Sequence, residues 1–270
     1  MADSEANWVT LNAASCPAVR PAIAVVDKDA ISVAFRAASC GASSAAIWLS
    51  ATEISGLTSA QVAALSLTQF AALTPTGIGA LSADGLTGLT HAQIDSMTLT
   101  QIGGLQASQI GAMTITTAAE LSTTDLAAMS VTQLGGLVRM QLRALSADQL
   151  NALSTTQVAA LSPTEMGSLQ ASELDALTNA QFAAITSTQT AGMVATQLGS
   201  MTVTRIEALT PVQLSGLTTT MMAALPTAML TALTDTQLEA LNGTQIMSLT
   251  TTQLAGLTAD QIAALQVAVS

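Results

Sequence analysis

The chain has 270 residues, half of them hydrophobic, 9% charged and 2% aromatic, and 17 acids against 6 bases give a formal net charge of −11. High apolar content with little charge excludes a disordered acidic tail, and the acidic balance excludes nucleic acid or an anionic membrane surface as the expected partner. A single lysine (Lys28), a single histidine (His91) and no tyrosine leave little for general acid, base or stacking chemistry, so a structural or interaction protein is expected rather than an enzyme.

Residues 1–56 differ in composition from the rest. They hold both tryptophans (Trp8, Trp48), both cysteines (Cys16, Cys40) and Phe35. The start, MADSEANW, carries acids where a secretory signal has a basic region followed by an apolar run, so no classical signal peptide is expected. The cysteines fit either one disulfide or two buried free thiols. The run Ala22 to Val26, then Asp27-Lys28-Asp29, then Ile31, Val33 and Phe35 in alternation predicts a small β-hairpin. This segment is expected to cap the N-terminal end of a repetitive array.

From Leu57 a frame of eight runs without insertion or deletion to Ala264, giving 26 octads. Position 1 is always Leu, Met or Ile. Position 2 is Ser, Thr or Asn in 21 of the 26, the exceptions being Gln106, Val138, Gln170, Val194 and Pro226. Position 5 is Gln or Glu in 19 of 26, and position 6 is a larger apolar residue in all but Ala118 and Thr190. Position 8 is Ala, Gly or Ser except at Glu120. Positions 3 and 7 vary freely and admit charges, which marks them as solvated.

That order of residue types reads as a helix start. A Ser or Thr with Gln or Glu three residues later is a capping box, as in Thr58/Gln61, Ser154/Gln157, Ser162/Glu165 and Thr258/Gln261. The apolar residue before the cap (Leu57, Leu153, Leu161, Leu257) and the one at position 6 are then the partners of a hydrophobic staple and form the core. Pro75, Pro163 and Pro211 all fall directly after the cap residue, where a helix tolerates proline. Each octad is thus a helical segment of about one and a half turns at ~3.6 residues per turn.

Threonine also favours strands, and short repeats build β-solenoids, so a β-solenoid is the alternative. Against it, the fixed apolar or small sites 1, 6 and 8 break the alternation that a strand face needs. A segment this short cannot fold alone, so neighbouring octads must cover each other, with the small residue at position 8 as the point of close approach. The octads from Met97, Met113 and Met129 echo one another at sixteen residues, which suggests two octads per coil. After Ala264 the chain continues as LQVAVS (265–270), a partial octad with apolar Leu265, Val267 and Val269, so this end is expected to be exposed or to support end-to-end self-association.

Motifs that carry chemistry are scarce. There is no glycine-rich loop ending in Gly-Lys, no zinc or nucleophile–His–acid constellation around one histidine, and no Gly-Gly-x-Gly-x-Asp nonapeptide. The methionines read as core filler and His91 as a solvated helix-face or loop residue. Leu214 to Leu233 is the nearest approach to an apolar span, but threonines and Pro226 interrupt it, so no membrane span, metal or cofactor is expected. Asn242-Gly243-Thr244 fits a glycosylation acceptor, though these residues occupy cap positions of an octad. Two repeated features are left for function: the glutamines at position 5, which close capping boxes or bond to one another along an edge, and the threonines at position 4, which form hydroxyl rows suited to ice, polysaccharide or protein.

The tandem units LTSAQVAAL (Leu57 to Leu65) and LTADQIAAL (Leu257 to Leu265) resemble LTxxQ octapeptide arrays of long bacterial surface or secreted proteins, often labelled haem-utilisation or adhesion proteins. The resemblance covers about residues 57–265. A haem role is opposed by the single histidine and the absence of tyrosine, which leave only cysteine and methionine besides as axial ligands. LTPVQLSGL (Leu209 to Leu217) also resembles the first helix of DNA-binding effector repeats of plant pathogens, but those have a longer unit and bind a polyanion. The expectation is a mainly α solenoid of very short capped helices: cap 1–56, array 57–264, end 265–270. Its expected role is a non-enzymatic spacer, scaffold or adhesive segment at the bacterial surface or outside the cell, with a cytoplasmic protein as the alternative location.

Overall fold

The computed structural model describes residues 7–9, 24–26 and 51–268. Helix contacts divide the chain into two units, Met1–Gly136 and Leu137–Ser270, each with its own packing. In the first unit, β1 (Asn7–Val9) pairs antiparallel with β2 (Ala24–Val26), in the register Asn7 to Val26, Trp8 to Val25 and Val9 to Ala24. The Val25-Val26 strand thus has a partner upstream, whereas the segment expected to pair with it across Asp27-Lys28-Asp29 lies outside the described residues. Ile31, Val33 and Phe35 lie outside the described residues, as do Cys16 and Cys40.

Helices run from residue 51 onward. They begin with α1 (Ala51–Ser55), α2 (Ser59–Ala63), α3 (Leu67–Ala71), α4 (Pro75–Ala80), α5 (Ala83–Thr87), α6 (His91–Asp95) and α7 (Leu99–Gly104), and every later octad adds one more. All have four to six residues except Ala259–Ala268, which has ten. Across the array the octads are the expected short helices and the β-solenoid alternative is set aside; only the residues between helices are extended. The α1 helix precedes Leu57, and it sits in the same frame with Ile54 buried at position 6.

The junctions explain how so short a helix can end. The amide of the position 1 residue donates to the position 6 carbonyl three residues earlier at nearly every junction, as in Leu73 N to Phe70 O at 3.1 Å. Position 1 or the cap then turns extended (Leu105 φ −65°, ψ 138°; Ser154 φ −69°, ψ 160°), and the next helix starts. Among the described residues no backbone takes a positive φ, so the turn is made without the left-handed residue that usually stops a helix. Residues of any type can occupy it, which is why an array can repeat it.

Three such junctions bring the chain back over itself. The α1 helix packs on α4, α2 on α5, α3 on α6 and α4 on α7, and in the second unit Thr155–Ala159 packs on Asn179–Ala183 in the same way. A coil is therefore three octads, not the two suggested by the methionine echo. Met97, Met113 and Met129 fall on three different columns of helices, so their echo does not mark structural neighbours. Position 6 side chains are buried in every octad from Val62 to Leu238 and position 1 side chains from Leu65 to Leu249, giving each unit a continuous core of the predicted residues. The stretch Leu214 to Leu233 is divided among Pro211–Ser215, Thr219–Ala224 and Thr227–Thr231, and among the described residues no helix is long and apolar enough to cross a membrane.

Candidate functional site

The most repeated chemistry in the molecule is at position 5. Gln181 shows the pattern. Its Oε1 accepts from the Thr178 amide at 2.8 Å and the Thr178 hydroxyl at 3.0 Å, while the Gln181 amide donates to Thr178 Oγ1 at 3.2 Å. This is a closed capping box. Its Nε2 reaches the preceding coil and donates to the carbonyls of Leu150 at 2.8 Å and Leu153 at 2.7 Å. One amide thus satisfies an orphan donor of its own helix and bridges two acceptors of the neighbour.

The same pair of acceptors, 31 and 28 residues back, is used by Gln93, Gln101, Gln109 and Gln133 in the first unit. In the second unit Gln189, Gln197, Gln213, Gln245 and Gln253 do likewise. Gln237 and Gln261 replace the first acceptor by the carbonyls of Glu207 and Thr231, one residue closer. These side chains are buried, with Gln181 only 2% exposed. The glutamines form a ladder, but its rungs run from amide to backbone and not from glutamine to glutamine. They are not a surface.

Of the remaining residues singled out from the sequence, the capping pairs stand at helix starts, whereas only two of the four leucines expected in the core are buried. Thr58 and Gln61, Ser154 and Gln157, and Ser162 and Glu165 each form a reciprocal pair of backbone-to-side-chain bonds. Thr258 and Gln261 do the same at 3.1 and 3.2 Å. Leu153 and Leu161 are buried, and Leu57 and Leu257 are half-buried because they stand in the first and last octads of the frame.

Departures from glutamine show what the position must do. Arg205 is buried, and its guanidinium donates to the carbonyls of Leu177 and Asp175 (2.7 Å) and to Asn179 Oδ1 at 3.3 Å, while lying 4.9 Å over the Phe182 ring. A longer cationic donor thus reproduces the amide's reach to the coil before. Glu173 closes its box on the Gln170 amide at 2.6 Å but has no donor for the carbonyls of Leu142 and Leu145, which occupy the corresponding places.

Position 8 is small because coils touch there. A Cβ on Gly88 would stand 1.9 Å from Ser59 O, and on Gly216 2.1 Å from Ser187 O, each 29 residues back. The one large residue at position 8, Glu120, answers to His91 at that same separation. His91 Nδ1 lies 3.4 Å from Glu120 Oε1 and its Nε2 3.2 Å from Asp95 Oδ2. The chain's single histidine accommodates its single irregular position 8. Its side chain is exposed, and no group of three or more His, Cys, Asp or Glu residues able to hold a metal occurs among the described residues.

Position 4 is exposed in every octad from Thr68 onward. It is Thr in 15 of 26, and cap duty falls to position 2 instead. These hydroxyls are the regular feature that faces outward.

Sequence reasoning missed the bridging role of the glutamines. The signal was present: position 5 holds 17 Gln and only 2 Glu, although a capping box needs just an acceptor and takes either. The excess of amides reports a demand for a donor.

Compared with known proteins, residues 140–163 match the family model of the ALTTAQ repeat. The 24 matched residues are as many as one coil of three octads holds. The match supports an octapeptide-type repeat protein. No curated protein matches the chain.

Proposed function

We propose that this solenoid is a non-enzymatic structural element, a spacer, scaffold or adhesive segment of a bacterial surface or exported protein. The observation that carries this reading is that the position 5 amides of the ladder are consumed in tying coil to coil. What remains outside is a periodic surface of Ala, Ser and Thr with a few acids and single apolar side chains such as Leu67, Leu99 and Ile115. Such a module sets distance and resists separation, and its length scales with the number of coils.

The test is to excise or insert 24 residues in register, for instance 155–178, in the host protein. A spacer keeps its helical signal and changes reach in proportion, read by small-angle scattering and by the distance dependence of adhesion. Loss of folding or of a defined activity on a one-coil change would overturn the reading, as would finding the protein confined to the cytoplasm.

A second reading, a binding module, is favoured by the threonines of position 4 and not by the glutamines. Stacked helices stand ~8 to 10 Å apart, about twice the ~4.7 to 4.9 Å of paired strands, so the hydroxyl rows are too sparse along the stack to imitate a β-solenoid ice surface. Polysaccharide is the ligand class that fits such spacing. Retention on immobilised polysaccharide, lost on replacing the exposed Thr188, Thr236 and Thr244 by alanine, would establish it.

A further inference from the structure

The glutamine ladder is interrupted, and each interruption has the same form. With 17 Gln and Arg205 at position 5, eight of the 26 octads carry no side-chain nitrogen there, and they fall as four adjacent pairs, never singly: Gly77 with Gly85, Thr117 with Asp125, Glu165 with Glu173 and Met221 with Met229. The geometry of the rungs gives a pair a consequence that a single loss lacks. Gln189 donates to Leu161 O at 2.7 Å and Gln197 to Met166 O at 3.0 Å, so octad 161–168 is held from the following coil at two places by two successive glutamines. Losing either leaves the octad held by the other. Losing both releases it on that side.

Met221 and Met229 do this to octad 193–200 in the second unit. The carbonyls 31 and 28 residues back are Thr190 and Met193 for the first, and Leu198 and Met201 for the second. Thr190 O and Leu198 O keep bonds from Met193 N at 3.1 Å and Met201 N at 3.3 Å. Among the described residues no donor reaches Met193 O or Met201 O, although both residues are buried. Gln197 still binds octad 193–200 to the coil before it, so the tie is lost on one side only. The helix packed over this octad, Thr219–Ala224, and the next, Thr227–Thr231, both begin without a reciprocal capping box, the second on Pro226, which makes no side-chain cap bond.

In the first unit Thr117 and Asp125 do the same to octad 89–96. Thr117 turns its hydroxyl to Thr114 Oγ1 at 2.8 Å, and Asp125 accepts from the Ser122 amide at 3.0 Å. No donor reaches Leu89 O or Met97 O among the described residues. Two further departures fall in the same place: Ala118 stands where position 6 is otherwise a larger side chain, and Glu120 where position 8 is otherwise Ala, Gly or Ser. His91 and Glu120, 3.4 Å apart, span the gap at the surface. The missing amides, the shrunken core residue and the crowded contact point thus coincide on one pair of coils.

We infer that the paired gaps are seams built into the array, at which octads 89–96 and 193–200 part from the coil that follows while the runs of unbroken rungs on either side stay closed as blocks. An array of this kind has a stability close to a sum over units and nearest-neighbour interfaces, so opening starts at the interface with the fewest ties. A seam needs two successive gaps because one octad is held by two successive rungs, which accounts for the absence of single gaps. Under tension such a chain lengthens in steps, block by block, rather than along its whole length. This goes beyond the spacer reading and does not depend on where the protein resides: it says where the array yields.

The experiment is hydrogen exchange of the full chain under native conditions, read by mass spectrometry as protection factors for each octad. Octad 193–200 is expected to be about tenfold or more less protected than 177–184, which Arg205 and Gln213 hold. Octad 89–96 is expected to fall below 73–80, which Gln101 and Gln109 hold, by a similar factor. Met221→Gln with Met229→Gln restores the majority residue at both sites and should raise the protection of 193–200 about tenfold or more while leaving 89–96 unchanged. Gln189→Met and Gln197→Met, alone and together, test the pairing itself. Each single change leaves octad 161–168 one tie; the double change leaves none and should lower its protection by more than the product of the two single effects. Circular dichroism checks that helix is unchanged in each variant; if the double change unfolds the chain, Met221→Gln with Met229→Gln carries the test. Equal protection of 193–200 and 177–184 in the wild type overturns the inference. So does a Met221→Gln, Met229→Gln variant that leaves 193–200 as it was, or a folded double change whose effect is only the product of the singles.

Discussion

Changing Gln181 to Glu isolates the ladder from the caps. Glutamate has the same length and can still accept from the Thr178 amide, as Glu165 and Glu173 do for Ser162 and Gln170. What it lacks is the Nε2 donor to Leu150 O and Leu153 O. Each such bond is worth ~0.5 to 1.5 kcal/mol net. Leu150 O keeps its bond from Leu153 N at 3.2 Å, whereas no other donor reaches Leu153 O among the described residues, and an orphaned buried carbonyl costs ~1 to 3 kcal/mol more. The new carboxylate would also sit 2% exposed against two carbonyl oxygens. We expect the coil 150–181 to lose about 2 to 4 kcal/mol of local stability. Hydrogen exchange read by mass spectrometry over these residues, with urea titration followed by circular dichroism, measures it. Gln181→Met, which removes donor and acceptor together, should cost more. If Gln181→Glu changes protection by no more than the surface change Asn151→Asp, coil-to-coil amides do not hold the array and the role given to position 5 is wrong.

The converse change, Glu173→Gln, supplies the missing donor to Leu142 and Leu145 and should stabilise by ~1 to 2 kcal/mol, seen as a higher thermal midpoint. Leu153→Asp puts an unpaired charge at a site 3% exposed and should destabilise by ~4 kcal/mol or more, while Asn151→Asp at exposed position 7 stays within ~0.5 kcal/mol; equal urea midpoints would contradict the assigned faces. Gly88→Ala must push Ser59 O away from 1.9 Å and should cost ~2 kcal/mol or more, whereas Gly103→Ala, with nothing within 4 Å, gains ~0.5 to 1 kcal/mol from helix propensity. Ser154→Ala removes the acceptor for the Gln157 amide at 3.2 Å and should cost ~1 kcal/mol in the same titration.

The octad itself was legible because its positions answer to local physics: a hydroxyl that caps, a proline tolerated at the first helical site, an apolar pair that folds inward. The number of octads per coil was not, since the three columns share one eight-residue pattern and nothing local to Met97 or Met113 says which helix will lie beneath it. Likewise Gln181 reads as a cap from its neighbours three residues away, while its second duty depends on residues 28 and 31 positions earlier, beyond the reach of periodicity. The strand at Ala24–Val26 was visible in its valines, but its partner Asn7–Val9 carries no matching alternation.

Every amide of the ladder points toward the beginning of the chain. A coil emerging from the ribosome or from an export channel is therefore fastened only by a segment still to come, about thirty residues behind it in synthesis. Growth and locking advance together in one direction, like a ratchet, so a stalled chain would leave one loose coil at its trailing end and finished structure ahead of it.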